Sequence, residues 1–190
     1  MTANELLRHH ITEMVKFRKR LELTLPDGYH YQGAEDYILD RGSIYHSASL
    51  TADERKVVQD AIAACPSKRF RMGHCYYNAQ ILVAYDRTGQ LQYCEGVASG
   101  WTRVPLLHGW VVINGKVVDL TWRTPKPLQR GILKDRIWGV FPDKWAYYGV
   151  TFDTESLMAR MWRIKATGSL LDDIAHGFPL FQEPRLGVAP

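Results

Sequence analysis

The sequence predicts an α+β fold, with helices first, a meander of antiparallel strands next and a helical C-terminal region. Three observations predict it. Apolar residues recur at helical spacing near both ends of the chain, at Leu7, Ile11, Met14 and Leu21 and again at Leu157, Met161 and Ile164. From Leu91 the period changes, and residues 91–97, 104–113 and 116–122 read as strands rich in β-branched and aromatic side chains. Asn114-Gly115, the strongest short hairpin signal, joins the last two of these runs.

The first helix is expected over 4–21, ended by Pro26-Asp27-Gly28. Residues 29–50 are aromatic-rich without a sustained period and read as loop with one short strand. Thr51 and Glu54 form a capping box, and Val58, Ala61, Ile62 and Cys65 then keep helical spacing until Pro66. Gly73-His74 leads into a third helix over 75–85, which stops before Arg87-Thr88-Gly89. Pro125 and Pro127 end the hairpin, and 132–141 and 145–152 offer one or two further strands. Asp153 or Thr154 caps the next helix, 169–175 reads as a last short one, and the tail from Phe178 reads as irregular. The 190 residues suit a single domain. Its core is expected over 51–152, between the N-terminal helix and C-terminal helices at 154–175.

Composition removes several classes. With 46% hydrophobic and 23% charged residues the chain is not disordered throughout. Three cysteines are too few, and odd in number, for a disulfide scaffold. The longest apolar runs, 110–113 and 81–84, fall far short of the roughly 20 residues a bilayer needs, so no membrane partner is expected. Polar residues interrupt the N-terminus, which does not read as a secretory signal, and a reducing cytoplasmic compartment is the expectation. The net charge of +4 is mild. Its basic clusters, Lys16, Arg18, Lys19 and Arg20 and then Lys68, Arg69 and Arg71, read as solvated patches rather than nucleic-acid contacts. No P-loop and no Gly-x-Ser-x-Gly elbow is present, which removes nucleotide hydrolysis and serine hydrolase chemistry.

The residues that suggest chemistry are Cys75, His108 and Asp119. A two-residue turn at Asn114-Gly115 sets Ile113 opposite Lys116 and, counting outward, Trp110 opposite Asp119 and His108 opposite Thr121. His108 and Asp119 then share a face as diagonal neighbours, roughly 7–8 Å apart. An aspartate there can accept one imidazole proton and fix the ring, leaving the other nitrogen to act on a third group. Cys75 opens a helix, where the macrodipole favours a thiolate and first-turn N–H groups can hold an oxyanion. The competing reading makes Cys75 a core thiol and the other two an ordinary polar pair. Cys65 and Cys94 read as core residues. A zinc cluster of Cys65, His74, Cys75 and Cys94 matches no common spacing, so no metal or cofactor is expected. Glu95 is a candidate substrate contact, or a carboxylate paired with Arg103 or Lys116. Among Trp101, Trp110 and Trp122 the default role is core packing, with Trp110 a candidate for the wall of a substrate cleft.

The run from Gly73 to Trp122 resembles the transglutaminase-like branch of the papain-like cysteine enzymes. The resemblance rests on Gly73-His74-Cys75 at a helix start, a following strand, His108-Gly109-Trp110, and Asp119-Leu120-Thr121-Trp122. It implies a papain- or transglutaminase-like fold with Cys75 as nucleophile, His108 as general base and Asp119 as the orienting acid. It also implies acyl transfer through a thioester, on a protein, peptide or small amide substrate. The family usually adds an oxyanion donor upstream of the cysteine; Tyr31 and Gln32 lie upstream, and no motif selects either. The expected function is a cysteine hydrolase or acyltransferase. The alternative is a catalytically silent binding protein that captures a partner through its cleft or through Lys16, Arg18 and Lys19; a nucleic-acid modifier is the third.

Overall fold

In the computed structural model, which describes residues 1–22, 24–67, 69–124, 126, 133–164 and 167–186, the chain opens on a capping box. The Thr2 hydroxyl accepts the Glu5 N–H while the Glu5 carboxylate accepts the Thr2 N–H, starting α1 (Ala3–Arg20). Leu7, Ile11 and Val15, four residues apart, form its buried face. Residues 29–50 hold more order than a loop: α2 (Ala34–Arg41) and β1 (Ser43–Tyr45) lie within them. Tyr37 and Ile38 bury against Leu7 and Ile11 of α1, so tertiary packing makes a helix of eight residues that is too short to show a period.

The second capping box, at Thr51 and Glu54, starts α3 (Ala52–Ala64) as the sequence predicts, and α4 runs Cys75–Ala84. The strands follow as β2 (Gln92–Ser99), β3 (Pro105–Ile113), β4 (Lys116–Asp119), β5 (Ile137–Trp138) and β6 (Ala146–Phe152). The helix α5 (Thr154–Ile164) and 3₁₀ turns at Ile174–His176 and Pro179–Gln182 complete the order. The fold is α+β. Its six strands form one antiparallel sheet in the order β1-β6-β2-β3-β4-β5, so β6 returns to lie between β1 and β2.

Asn114 and Gly115 hold left-handed backbone, with φ of 47° and 74°, as a two-residue hairpin turn requires. They set Ile113 opposite Lys116, Val112 opposite Val117 and Val111 opposite Val118, which is the predicted register. Side alternation then puts His108, Trp110 and Val112 on one face of β3 and Leu107, Gly109 and Val111 on the other. The second face carries α4, with Leu82 and Val83 in one buried cluster with Tyr93, Val111 and Ile113. The first carries a separate cluster of Cys94, Trp110, Val112, Phe141, Trp145 and Tyr147.

Two expected elements end differently. The strand read over 116–122 stops at Asp119, because the Asp119 carboxylate accepts the N–H groups of Thr121 and Trp122 and turns the chain out of the ladder. The short helix read over 169–175 does not form, apart from the 3₁₀ turn that starts at Ile174. There the Leu170 and Leu171 N–H groups point at the buried Glu95 carboxylate instead of at helix carbonyls. Pro125, Pro127 and residue 132 lie outside the described residues. Among the described residues no helix is long and apolar enough to cross a membrane.

Glu54 fastens the hairpin to α3. Its carboxylate accepts from Asn114 at 3.0 Å, from Lys116 at 2.7 Å and from the Thr51 N–H at 2.7 Å. Burial pushes this carboxyl up, but the hydrogen bonds from Lys116, Asn114 and Thr51 outweigh it and hold it down at about 2. Replacing Glu54 by Ala should cost about 2 kcal/mol in urea unfolding at neutral pH. Because the folded value lies below the ordinary 4.5, this difference is full above 4.5 and fades as the pH falls towards about 2. A pH-independent difference between the two proteins would contradict this assignment.

Candidate active site

Cys75 reaches its position through a left-handed glycine. Gly73 takes a φ of 79°, open to glycine at little cost, and His74 then caps α4 with Cys75 as the first helical residue. The loop before it is tied to the end of β4. Asn78, one turn into α4, donates its side-chain amide to the Arg71 carbonyl and to the Thr121 hydroxyl, both at 2.8 Å. The buried Arg136 guanidinium donates to the Thr121 carbonyl at 2.6 Å and to the Phe70 carbonyl at 2.9 Å. The helix tip and the turn after Asp119 therefore hold a fixed separation.

Beside that tip lies a buried pair. His108 Nε2 stands 2.8 Å from Asp119 Oδ2, and both side chains are almost fully enclosed. The same Oδ2 accepts the Tyr147 hydroxyl at 3.1 Å, while Oδ1 accepts the Thr121 and Trp122 N–H groups at 2.7 and 3.2 Å. Burial pushes the Asp119 carboxyl up, but the His108 charge, its hydrogen bond and the two backbone donors outweigh that and keep it below the ordinary range. Burial pulls the His108 imidazolium down; the Asp119 charge and hydrogen bond, with help from Cys75, raise it instead to about 9. The Trp122 ring stacks on the imidazole with centroids 4.2 Å apart and planes 18° apart.

The Cys75 thiol meets the same ring. Burial pushes it up, but a side-chain hydrogen bond with His108 and the imidazolium charge outweigh burial, aided by the Gly109 and Tyr76 N–H groups, so the thiol lies below its ordinary 9.0. With Nε2 committed to Asp119, Nδ1 is the nitrogen left to serve the sulfur. The arrangement can hold a thiolate beside an imidazolium that keeps its proton over a wide range of pH. Cys75 is half-buried and Cys65 and Cys94 are buried. Burial pushes both of the latter thiols up; Cys94 donates to the Tyr45 hydroxyl and Cys65 to the Ile81 carbonyl. Among the described residues no group of three or more His, Cys, Asp or Glu is placed to hold a metal ion.

Two predicted substrate contacts lie elsewhere. Glu95 is wholly enclosed and accepts from the Tyr93 and Ser169 hydroxyls and the Leu170 and Leu171 N–H groups, so it anchors the chain after α5 and meets no cleft. Lys116, one of its expected partners, pairs with Glu54 instead. Trp110 is 1% exposed and packs against Gly149, where an added Cβ would lie 2.6 Å from the indole. The tryptophan that walls the site is Trp122. Of the two upstream candidates, Tyr31 is committed to Asp40, with Arg41 donating to its hydroxyl, while Gln32 lines a cavity of about 510 Å³ with Leu107 and Asp172.

Gly109, Tyr147, Asn78 and Arg136 join the site without having been singled out from the sequence. Gly109 had a signal, since a glycine inside a strand marks close backbone approach. An added Cβ there would lie 2.9 Å from Tyr76 Cδ1 and 3.2 Å from Tyr76 Cα, at the first turn of α4. Tyr147 had none. It sits on β6, whose place beside β2 comes from a long-range crossover.

Iodoacetamide should label Cys75 in the folded protein with a pH inflection below 9.0, while Cys65 and Cys94 stay protected. In His108→Ala the inflection should rise above 9.0, because burial remains and the cation is gone. Equal labelling of the three cysteines, or an inflection unmoved by the substitution, would refute this electrostatic account. Gly109→Ala should cost about 1–3 kcal/mol in thermal or urea unfolding. It should also slow labelling of Cys75 by displacing α4 from the strand; labelling at the wild-type rate would show that the close approach does not set the thiol's environment.

No protein-family model, no curated protein and no solved structure matches the chain, so the chemistry of this centre is argued from its own geometry.

Proposed function

We propose that the protein is a thiol-dependent amide hydrolase or acyl transferase, built on the papain-like plan of the transglutaminase branch. The observation that carries this reading is the enclosed His108–Asp119 pair, 2.8 Å apart, beside a thiol at the start of a helix that the imidazolium draws below its ordinary value. These are a nucleophile, a base and a group that orients the base.

In this reading the Cys75 thiolate attacks the acyl carbon of an amide, and the carbonyl π electrons move onto oxygen. The N–H of Cys75, a first-turn donor with no partner further back in the helix, is one hydrogen-bond donor for that oxyanion. The imidazolium of His108 gives its proton to the departing amine as the C–N bond breaks, leaving a Cys75 thioester. Water, or a second amine, then loses a proton to His108 and attacks the thioester, which releases the acyl group and restores the thiolate–imidazolium pair. Asp119 stays ionised throughout and holds the ring. Turnover rises with pH as Cys75 deprotonates and falls as His108 loses its proton at about 9.

A reducing, cytoplasmic compartment suits a protein whose three cysteines are all free. The alternative of partner capture by the basic N-terminal helix draws less support. Lys16 pairs with Glu13 at 2.9 Å and Arg18 with Glu35 at 2.8 Å, so part of that charge is already neutralised within the chain.

With p-nitrophenyl acetate as an activated acyl donor, the protein should show a burst of p-nitrophenolate and an acetyl adduct on Cys75. Cys75→Ala should lose the burst and keep its far-UV dichroism. His108→Ala should slow acylation about 10²–10⁴-fold at neutral pH. Acetylation distributed over lysines, or a burst that survives Cys75→Ala, would overturn the proposal.

A further inference from the structure

The segment 69–74 that leads into Cys75 separates two surface depressions of opposite character. Met72 faces one of them, a cleft of about 400 Å³ walled by Trp101, Val104, Leu106 and Trp122. Trp122 is the ring that stacks on His108, so one indole forms a wall of this cleft and covers the imidazole. Met72, Trp101, Val104 and Leu106 are each more than half exposed, at 64, 58, 56 and 52%. Four large apolar side chains held out in water around one concavity constitute an unpartnered binding surface. The wall is fixed in place. The Trp101 indole N–H donates to the Arg123 carbonyl at 2.8 Å, and Trp101 and Trp122 both meet Trp145 edge-on, with centroids 6.2 and 5.5 Å away.

The other depression, about 290 Å³, is lined by Arg69, Arg71 and His74 together with Ser67 and Tyr77. His74 is the residue immediately before the thiol. Among the described residues no carboxylate forms an ion pair with Arg69 or Arg71, in contrast to Arg18, Arg41, Arg160 and Arg185. Uncompensated cations grouped beside a nucleophile raise the local concentration of anions. The arginines supply the forked donors that carboxylate and phosphate accept.

We infer that the acyl donor is a molecule bearing a bulky apolar group, seated between Trp101 and Trp122, and an anionic group, carboxylate or phosphate, held by Arg69 and Arg71. The inference rests on the proposed thiol chemistry and narrows it. Each depression alone would give only weak preference; together they border the segment that leads into one thiol and select a substrate that satisfies both. Anionic and apolar recognition on opposite sides of the Met72 loop also fix the direction in which such a substrate lies across the sulfur.

The test needs no known substrate. Iodoacetamides carrying N-methyl, N-phenethyl, N-carboxymethyl, N-phosphonooxyethyl and phenylalanine groups are compared for their second-order rate of alkylation at Cys75, read by intact mass. The phenylalanine probe should outrun the N-methyl probe by about tenfold or more. Arg69→Gln with Arg71→Gln, or added salt, should remove the gain of the anionic probes and leave that of N-phenethyl. Trp101→Ala or Val104→Glu should do the reverse. Whichever of the carboxymethyl and phosphonooxyethyl probes gains more identifies the anion. If Cys75 reacts rapidly with the N-methyl probe yet all five rates agree within about twofold, this inference fails and the thiol chemistry stands. If the N-methyl probe shows no preference for Cys75 over Cys65 and Cys94, the thiol chemistry fails and takes this inference with it.

Discussion

The site depends on one buried ionised carboxylate. Asp119 sits in the interior and is kept charged by four donors: the His108 ring, the Tyr147 hydroxyl and the N–H groups of Thr121 and Trp122. Removing a carboxylate from water costs several kcal/mol, and deleting one partner of a buried pair typically costs about 3–5 kcal/mol. The fold offsets that cost locally, by ending β4 at the aspartate so that two backbone N–H groups, freed from the ladder, turn back onto it. The same turn swings Trp122 over the imidazole. A single residue thus ends a strand, fixes a tautomer and places the wall of a cleft.

Glu95 offers an internal comparison, because it is equally enclosed and also accepts from four groups. Its partners are neutral. Burial therefore wins, and the Glu95 carboxyl is raised where that of Asp119 is lowered. The difference lies in His108, a cation hydrogen-bonded to Asp119, whereas the Arg160 charge acts on Glu95 with no hydrogen bond between them and burial prevails there. Glu95 accordingly serves the architecture by drawing Ser169, Leu170 and Leu171 onto the sheet. Gln80 of α4 strengthens that seam, exchanging hydrogen bonds with both backbone groups of Gly168. The helix carrying the thiol is in this way held from two sides, by the strand through Gly109 and by the returning chain through Gln80.

Much of this was legible in the sequence, and the limits follow the range of the interactions. The turn at Asn114-Gly115 dictates register locally, so the shared face of His108 and Asp119 could be counted from it. The capping box at Thr51 and the glycine before Cys75 are equally local. The helix α2 was not legible, since eight residues give barely two turns and its formation depends on burying Tyr37 and Ile38 against α1. The end of β4 at Asp119 was hidden because a side chain, and no proline or glycine, breaks the ladder. Glu95 was misread for a related reason. A carboxylate on a strand reads as exposed until the segment around Ser169, some seventy residues later, is known to close over it. Tyr147 depends on the crossover that returns β6 to lie between β1 and β2, which no short pattern encodes.

The three cysteines show how position on the fold, rather than residue type, sets the ionisation of a thiol. Cys94 lies in the middle of a central strand, where burial and the Glu95 carboxylate outweigh the Tyr45 hydroxyl and the thiol stays protonated. Cys65 ends a helix, with carbonyls rather than N–H groups near its sulfur, and burial raises it too. Cys75 begins a helix, meets N–H groups from Tyr76 and from Gly109, and faces an imidazolium whose own proton is secured by a carboxylate behind it. Desolvation opposes ionisation at all three. Only at Cys75 is it outweighed, and the imidazolium charge that outweighs it is sustained by Asp119 behind His108. The aspartate that never touches sulfur therefore decides the charge on the sulfur, and the glycine at 109 decides whether the sulfur is near enough to feel it.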